Sequence, residues 1–208
     1  MNLNNKFVIT INRELGSGGR TVGRKLAEKL GVEYYDKAVI KALQERYNLS
    51  AEDIEEIKGR KQSWLAEFVR MMTLSDSGYD LNQTGIETED VFRAETNILK
   101  ALAKDSSCVI AGRTAFYMYR DHPNHLNIFI QASMLSRMAR VAREQNMSKE
   151  QARLVIEKVD QMRENYVKEF TGTSRYDTRN YQLVLNMDEL SEDTAVDIIL
   201  AYIRGMAH

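Results

Sequence analysis

Residues 7–30, FVITINRELGSGGRTVGRKLAEKL, constrain this chain most, because a β-branched apolar run meets a glycine cluster and then a helical pattern. A buried strand, a tight loop and a helix follow one another in that order. Gly16, Gly18 and Gly19 lack Cβ atoms, so the loop backbone can take positive φ and bring several N–H groups to one point. The positive end of the helix dipole acts at the same point, and Arg20 and Thr21 add a cation and a hydroxyl on its first turn. Such a loop suits a phosphate.

The rest of the chain repeats the alternation. Lys6–Ile11, Val32–Tyr35, Cys108–Ala111, Leu126–Ile130 and Leu183–Leu185 read as short strands buried in a sheet. Helical spacing is expected over Thr21–Leu30, which stops at Gly31, and over 38–47, 50–73 and 89–104. It returns over Ser133–Phe170, broken near Asn146 ahead of the capping-box sequence SKEQ, and over Ser191–Arg204. Strands separated by helices imply an α/β fold with a parallel sheet. The polar, aperiodic residues 75–89 read as a mobile loop, and the apolar stripe from Trp64 to Met72 reads as core or as a homodimer seam.

The 29 Lys and Arg nearly balance the 30 Asp and Glu, so no overall basic field attracts nucleic acid or an anionic membrane. The single cysteine, Cys108, lies in an apolar run, which suits a buried thiol in a reducing compartment, and cytoplasm is the expected location. No apolar segment approaches the roughly 18 residues of a membrane helix, and the first residues hold too short an apolar run for a signal-peptide core. His122, His125 and His208 lack metal-ligand spacing.

The loop departs from the phosphate-binding pattern GxxxxGK[ST]: aligned on Gly19-Arg20-Thr21, it has Glu14 at the first glycine and Arg20 at the lysine. Arginine still neutralises phosphate, Thr21 is correctly placed to ligate magnesium, and Glu14 reads either as a ligand or as a carboxylate that braces the loop. A second pattern, the dinucleotide fingerprint GxGxxG, can start at Gly16 but meets Thr21 at its last glycine. It has Asp36 about 20 residues on, where a ribose-binding acid belongs. Asp36 at a strand end is equally an ordinary helix cap.

Taken together, RELGSGGRxxG followed by a YD strand end, the segment CVIAGR and the arginine-rich stretch resemble the cytidylate kinase-like family of P-loop kinases over nearly the full length. The resemblance implies one domain over residues 1–208, a three-layer P-loop kinase fold with a five-stranded parallel sheet. It also implies a helical acceptor-binding insert with a mobile loop at 48–90 and an arginine-bearing helical lid at 133–170. It further implies transfer of the γ-phosphoryl of ATP, with Mg2+, to CMP, dCMP or another small phosphate acceptor.

On that resemblance the amides of Gly16, Ser17, Gly18 and Gly19 with Arg20 hold the donor phosphates, and Thr21 holds magnesium. Arg113, Asp36, Asp160 and Arg163 face the acceptor, while Arg137, Arg140 and Arg143 match the lid. Arginines at i, i+3 and i+6 also suit a solvated helix, and Asp160/Arg163 also suits a helical ion pair. Ala111 and Thr114 stand where the bacterial enzymes usually carry aspartates before and after Gly-Arg, which bears on metal handling and on cytosine reading. A nucleotide-binding regulator with a degenerate loop and little turnover is the alternative function.

Overall fold

In the computed structural model, which describes residues 1–36, 100, 103, 106–112 and 114–206, the apolar runs become five strands joined in one sheet. These are β1 (Val8–Arg13), β2 (Glu33–Tyr35), β3 (Cys108–Ala111), β4 (His125–Gln131) and β5 (Leu183–Asn186). The order is β2-β3-β1-β4-β5, and every neighbouring pair is parallel. The chain divides into two units, Met1–Tyr35 with Asp105–His208, and Asp36–Lys104; the sheet belongs to the first. The expected helices at 38–47, 50–73 and 89–104, the loop at 75–89, the Trp64–Met72 stripe, Arg113 and His208 lie in part or whole outside the described residues.

β1 is central because it can be buried on both faces: residues 8–12 are all buried. It pairs with β4 as far as Arg13↔Ile130, so it outlasts its apolar run by two residues, Asn12 and Arg13. Parallel neighbours cannot be joined by hairpins, and helices supply the crossovers. Among the described residues these are α1 (Gly19–Leu30), the single turn α2 (Ala115–Met118), α3 (Met134–Gln145) and α4 (Lys149–Thr171), and a last helix, α5 (Glu192–Gly205), follows β5. α2 was not apparent from the sequence, since four residues carry no readable period.

One face of the sheet is aliphatic. Ile9, Ile11, Val109, Leu126, Ile128 and Ile130 pack against Val22, Leu26 and Ala27 of α1 and Ala195, Val196, Ile199 and Ile203 of α5. The other face carries a polar line. The Thr10 hydroxyl donates to Asn127 Oδ1 at 2.7 Å and meets His125 Nε2 at 2.7 Å. Further along, Asn12 Nδ2 donates to the Tyr181 hydroxyl at 2.9 Å, and that hydroxyl donates to the Arg175 carbonyl at 2.7 Å. Along this line each buried polar side chain thereby keeps a partner. Cys108 is fully buried, and burial pushes its thiol up to about 12, as suits a structural cysteine.

The break near Asn146 falls as expected: Asn146 caps α3 in the left-handed region at φ 52°, and Ser148 with Gln151 forms a capping box at the start of α4. The α3–α4 hairpin closes on Val141, Ala152 and Ile156, with Leu15 of the glycine loop packed against them. That contact brings the hairpin to the carboxyl edge of the sheet.

Candidate functional site

In parallel sheets the carboxyl edge is where ligands bind, and the glycine loop stands there between β1 and α1. Glu14 N–H continues the β1–β4 ladder by donating to Ile130 O at 3.1 Å, after which the chain leaves the sheet. Ser17, almost fully buried, turns it: its hydroxyl donates to Glu14 O at 2.9 Å and accepts from Gly19 N–H at 3.4 Å. Gly18 caps α1 at φ 83° without any side-chain cap bond. The helix therefore starts at Gly19, two residues ahead of its expected start, because a left-handed glycine substitutes for a capping side chain.

Gly16, at φ 79°, marks where the loop touches α3. A Cβ there would lie 2.8 Å from Arg137 O and 2.9 Å from Val141 Cγ2. No L-residue fits without moving α3.

Behind the loop lies a cluster of buried charge. Arg137, 5% exposed, donates from Nε to Leu15 O at 2.9 Å, lies 3.2 Å from Glu14 Oε1 through Nη1, and is ion-paired through Nη2 with Asp160 Oδ2. Asp160 Oδ1 accepts from Leu15 N–H at 3.1 Å, and Arg163 Nη1 and Arg175 Nη1 both lie 3.4 Å from it. Arg163 Nη1 also donates to Arg13 O at 3.3 Å, and Arg175 Nη2 donates to the same oxygen. Glu14 Oε2 accepts from Ala132 N–H at 3.2 Å. Burial raises the Glu14 carboxyl above its usual range, while the Arg137 guanidinium works in the opposite direction. Glu14 at the missing glycine position is thus a bracing carboxylate.

The residues singled out in the sequence divide accordingly. Gly16–Gly19, Arg20 and Thr21 form the loop mouth, with Thr21 exposed on the first turn of α1. Arg137, Asp160 and Arg163 gather behind it. Arg140 lies over it: a Cβ on Gly18 would stand 3.1 Å from Arg140 Nη2. Arg143 is exposed in the last turn of α3. Asp36 is buried and directly follows β2. Arg113 lies outside the described residues, but its neighbour Gly112 sits at φ 85°, where a Cβ would collide with Arg13 Nη1.

Three contributors escaped the sequence reading. Arg13 turns its guanidinium towards the end of β3, Glu192 pairs with Arg140, and Arg175 is the largest fully buried side chain among the described residues, 1% exposed. Arg175 lies in the loop after α4, with no periodicity to mark it. Its Nε and the hydroxyl of the fully buried Thr114 have no hydrogen-bond partner among the described residues.

Fold and loop define a class. A glycine loop between the central strand and its helix, at the carboxyl edge of an all-parallel sheet ordered 2-3-1-4-5, is the architecture of P-loop kinases. With β3 between β1 and β2 it departs from the dinucleotide-binding order 3-2-1-4-5-6, which sets the GxGxxG reading aside. The chain is similar in structure to a shikimate kinase from Bacteroides thetaiotaomicron, with a TM-score of 0.53 at 15% identity, covering 95% of this chain and 98% of that one. It is also similar to an uncharacterized protein from Eubacterium ventriosum, with a TM-score of 0.69 at 26% identity, covering 97% and 99%.

Residues 8–189 match the cytidylate kinase-like family, and the chain belongs to it. Among curated proteins it is 26% identical over 200 residues to a cytidylate kinase from Pyrococcus horikoshii, covering 95% of this chain and 88% of that protein. It is 23% identical to a cytidylate kinase from Methanopyrus kandleri, covering 94% and 92%. No helix among the described residues is long and apolar enough to cross a membrane.

Proposed function

We propose that this protein transfers the γ-phosphoryl of ATP to a nucleoside monophosphate of the CMP or dCMP kind, or to another small phosphate acceptor. The observation that carries the reading is the Gly18-capped α1, whose first-turn amides open at the carboxyl edge of the sheet beneath Arg140, in a chain of the cytidylate kinase-like family. In this reading the amides of Gly16 to Gly19 and the Arg20 guanidinium hold the donor phosphates. Arg140 and Arg143 meet them from α3, and Arg137 acts through Glu14 and Leu15 by fixing the loop. Asp36, Arg113 and Arg163 would serve the acceptor in this reading, whereas Asp160, engaged by Leu15 N–H, Arg137 and Arg175, holds the loop instead.

Magnesium fits the donor chemistry of the loop mouth, because Thr21 presents a hard, solvent-exposed oxygen beside the phosphate amides. Bound there, the metal would screen charge on the β- and γ-phosphates. An acceptor phosphate oxygen is already nucleophilic, so no side-chain base is required. It attacks the γ-phosphorus as the bond to the β–γ bridging oxygen breaks and ADP leaves. The protein's own part is positioning and fixed positive charge at the equatorial oxygens.

The test is ADP release from magnesium-ATP across a panel of nucleoside monophosphates, with ATP binding measured in parallel. Acceptor-stimulated ADP release supports the reading. Tight ATP binding without it favours a nucleotide-binding regulator, the reading to which Glu14, Arg20 and Ala111 at their respective positions lend weight.

A further inference from the structure

Glu192 is the first residue of α5 and lies outside every motif in the sequence. Its Oε1 accepts from Arg140 Nη1 at 2.7 Å, and each of the two side chains is only 25% exposed. Arg140 Cζ and Nη2 lie 3.2 and 3.1 Å from where a Cβ on Gly18 would be, so the guanidinium rests against the loop turn that caps α1. The start of α5 is itself tied to α1, because Lys25 Nζ meets Asp193 Oδ1 at 2.9 Å. Glu192 is thereby anchored to the helix whose amino terminus forms the loop mouth.

An arginine on a partly exposed helix face has many rotamers, and one charged partner at hydrogen-bond distance selects among them. Engaging Nη1 with Glu192 turns the other edge of the fork, Nη2, over Gly18. We propose that Glu192 is a positioning residue for Arg140, presenting that guanidinium to the phosphates of a bound nucleoside di- or triphosphate in a single orientation. Glu192 touches neither nucleotide nor acceptor; it acts through Arg140. The proposal rests on the donor-site reading above.

Titration calorimetry of the full chain with magnesium-ADP tests it without needing the acceptor. Glu192→Ala should weaken binding roughly tenfold, the loss expected when a charged group loses its hydrogen-bonded partner. Glu192→Gln keeps an oxygen acceptor and should fall between Glu192→Ala and wild type. Arg140→Ala should lose at least as much, and the double variant Arg140→Ala/Glu192→Ala should bind no more weakly than Arg140→Ala alone, since both changes remove one interaction. Glu157→Ala, which removes an exposed carboxylate on α4, should bind as wild type.

Wild-type affinity in Glu192→Ala, additive losses in the double variant, or an equal loss in Glu157→Ala would overturn the assignment. If the wild-type protein itself fails to bind magnesium-ADP, the donor-site reading falls and this inference falls with it.

Discussion

Replacing Gly16 with alanine should damage the loop through two separable causes. The residue sits at φ 79°, a conformation that costs an L-side chain about 1–2 kcal/mol. The new Cβ would also press on Arg137 O at 2.8 Å and Val141 Cγ2 at 2.9 Å, and the first of these is backbone that can yield only if α3 moves. Overpacking of that kind costs about 1–3 kcal/mol. Gly31 isolates the first cause: its φ is 65°, yet nothing lies within 4 Å of its Cβ position. Alanine also stiffens the unfolded chain by about 0.4–1 kcal/mol, equally at both sites.

At about 2–4 °C per kcal/mol for a chain of this length, Gly16→Ala should lower the melting midpoint by roughly 2–18 °C and Gly31→Ala by no more than about 6 °C, the overpacking at Gly16 alone separating the two by roughly 2–12 °C. Thermal melts followed by circular dichroism, with magnesium-ADP affinity measured below the transition, provide the comparison. Only Gly16→Ala should lose affinity, because only there does the strain fall on the phosphate loop. Equal midpoints and equal affinities for the two variants would refute the claim that α3 backs the loop so closely.

Other expectations can be checked by similar means. Glu14→Gly restores the usual first glycine of the phosphate loop but removes the contacts to Arg137 and Ala132, so it should lower both melting midpoint and nucleotide affinity; improved turnover would show that the bracing role is wrong. Thr21→Ala should weaken magnesium-nucleotide affinity more than metal-free nucleotide affinity, and unchanged affinity would remove the hydroxyl from the site.

His125 provides a pH test, since burial, with nearby His122 adding to it, lowers its pKa from 6.5 to about 4. The unfolded chain then binds more protons than the folded one between those values, so this stability is present above about pH 6.5 and is lost as pH falls towards 4. The loss is of the order of 3 kcal/mol in all. Urea unfolding at pH 7 and pH 5 should show the slope in wild type and a flatter one in His125→Gln; parallel slopes would refute it.

The β1–loop–α1 unit was legible because its signals are local: a β-branched run, glycines at the turn and apolar spacing on one helix face. The α3–α4 break was legible for the same reason, through Asn146 and the Ser148–Gln151 box. Strand order was not, because register and the insertion of β3 beside β1 depend on crossovers that local spacing does not encode. The three arginines of α3 show the limit most clearly. Residues three apart advance about 300° around a helix, so Arg137 and Arg143 point about 120° apart. Arg137 turns inward, Arg140 lies over the loop and Arg143 faces outward. Arg175 was invisible because a fully buried cation gives the same letter as a solvated one; only its contacts with Asp160 and the Arg13 carbonyl distinguish it.

The Asp160 cluster also dictates when the loop can exist. The bond from Leu15 to Asp160 spans 145 residues, and that from Arg175 to Arg13 spans 162. A ribosome delivers the glycine loop early but its supports late, so the nascent chain holds an unset loop until most of the protein has emerged. The loop gains its full set of supports only when Arg175 has been made, and a fragment ending before Arg175 carries the glycine motif without them.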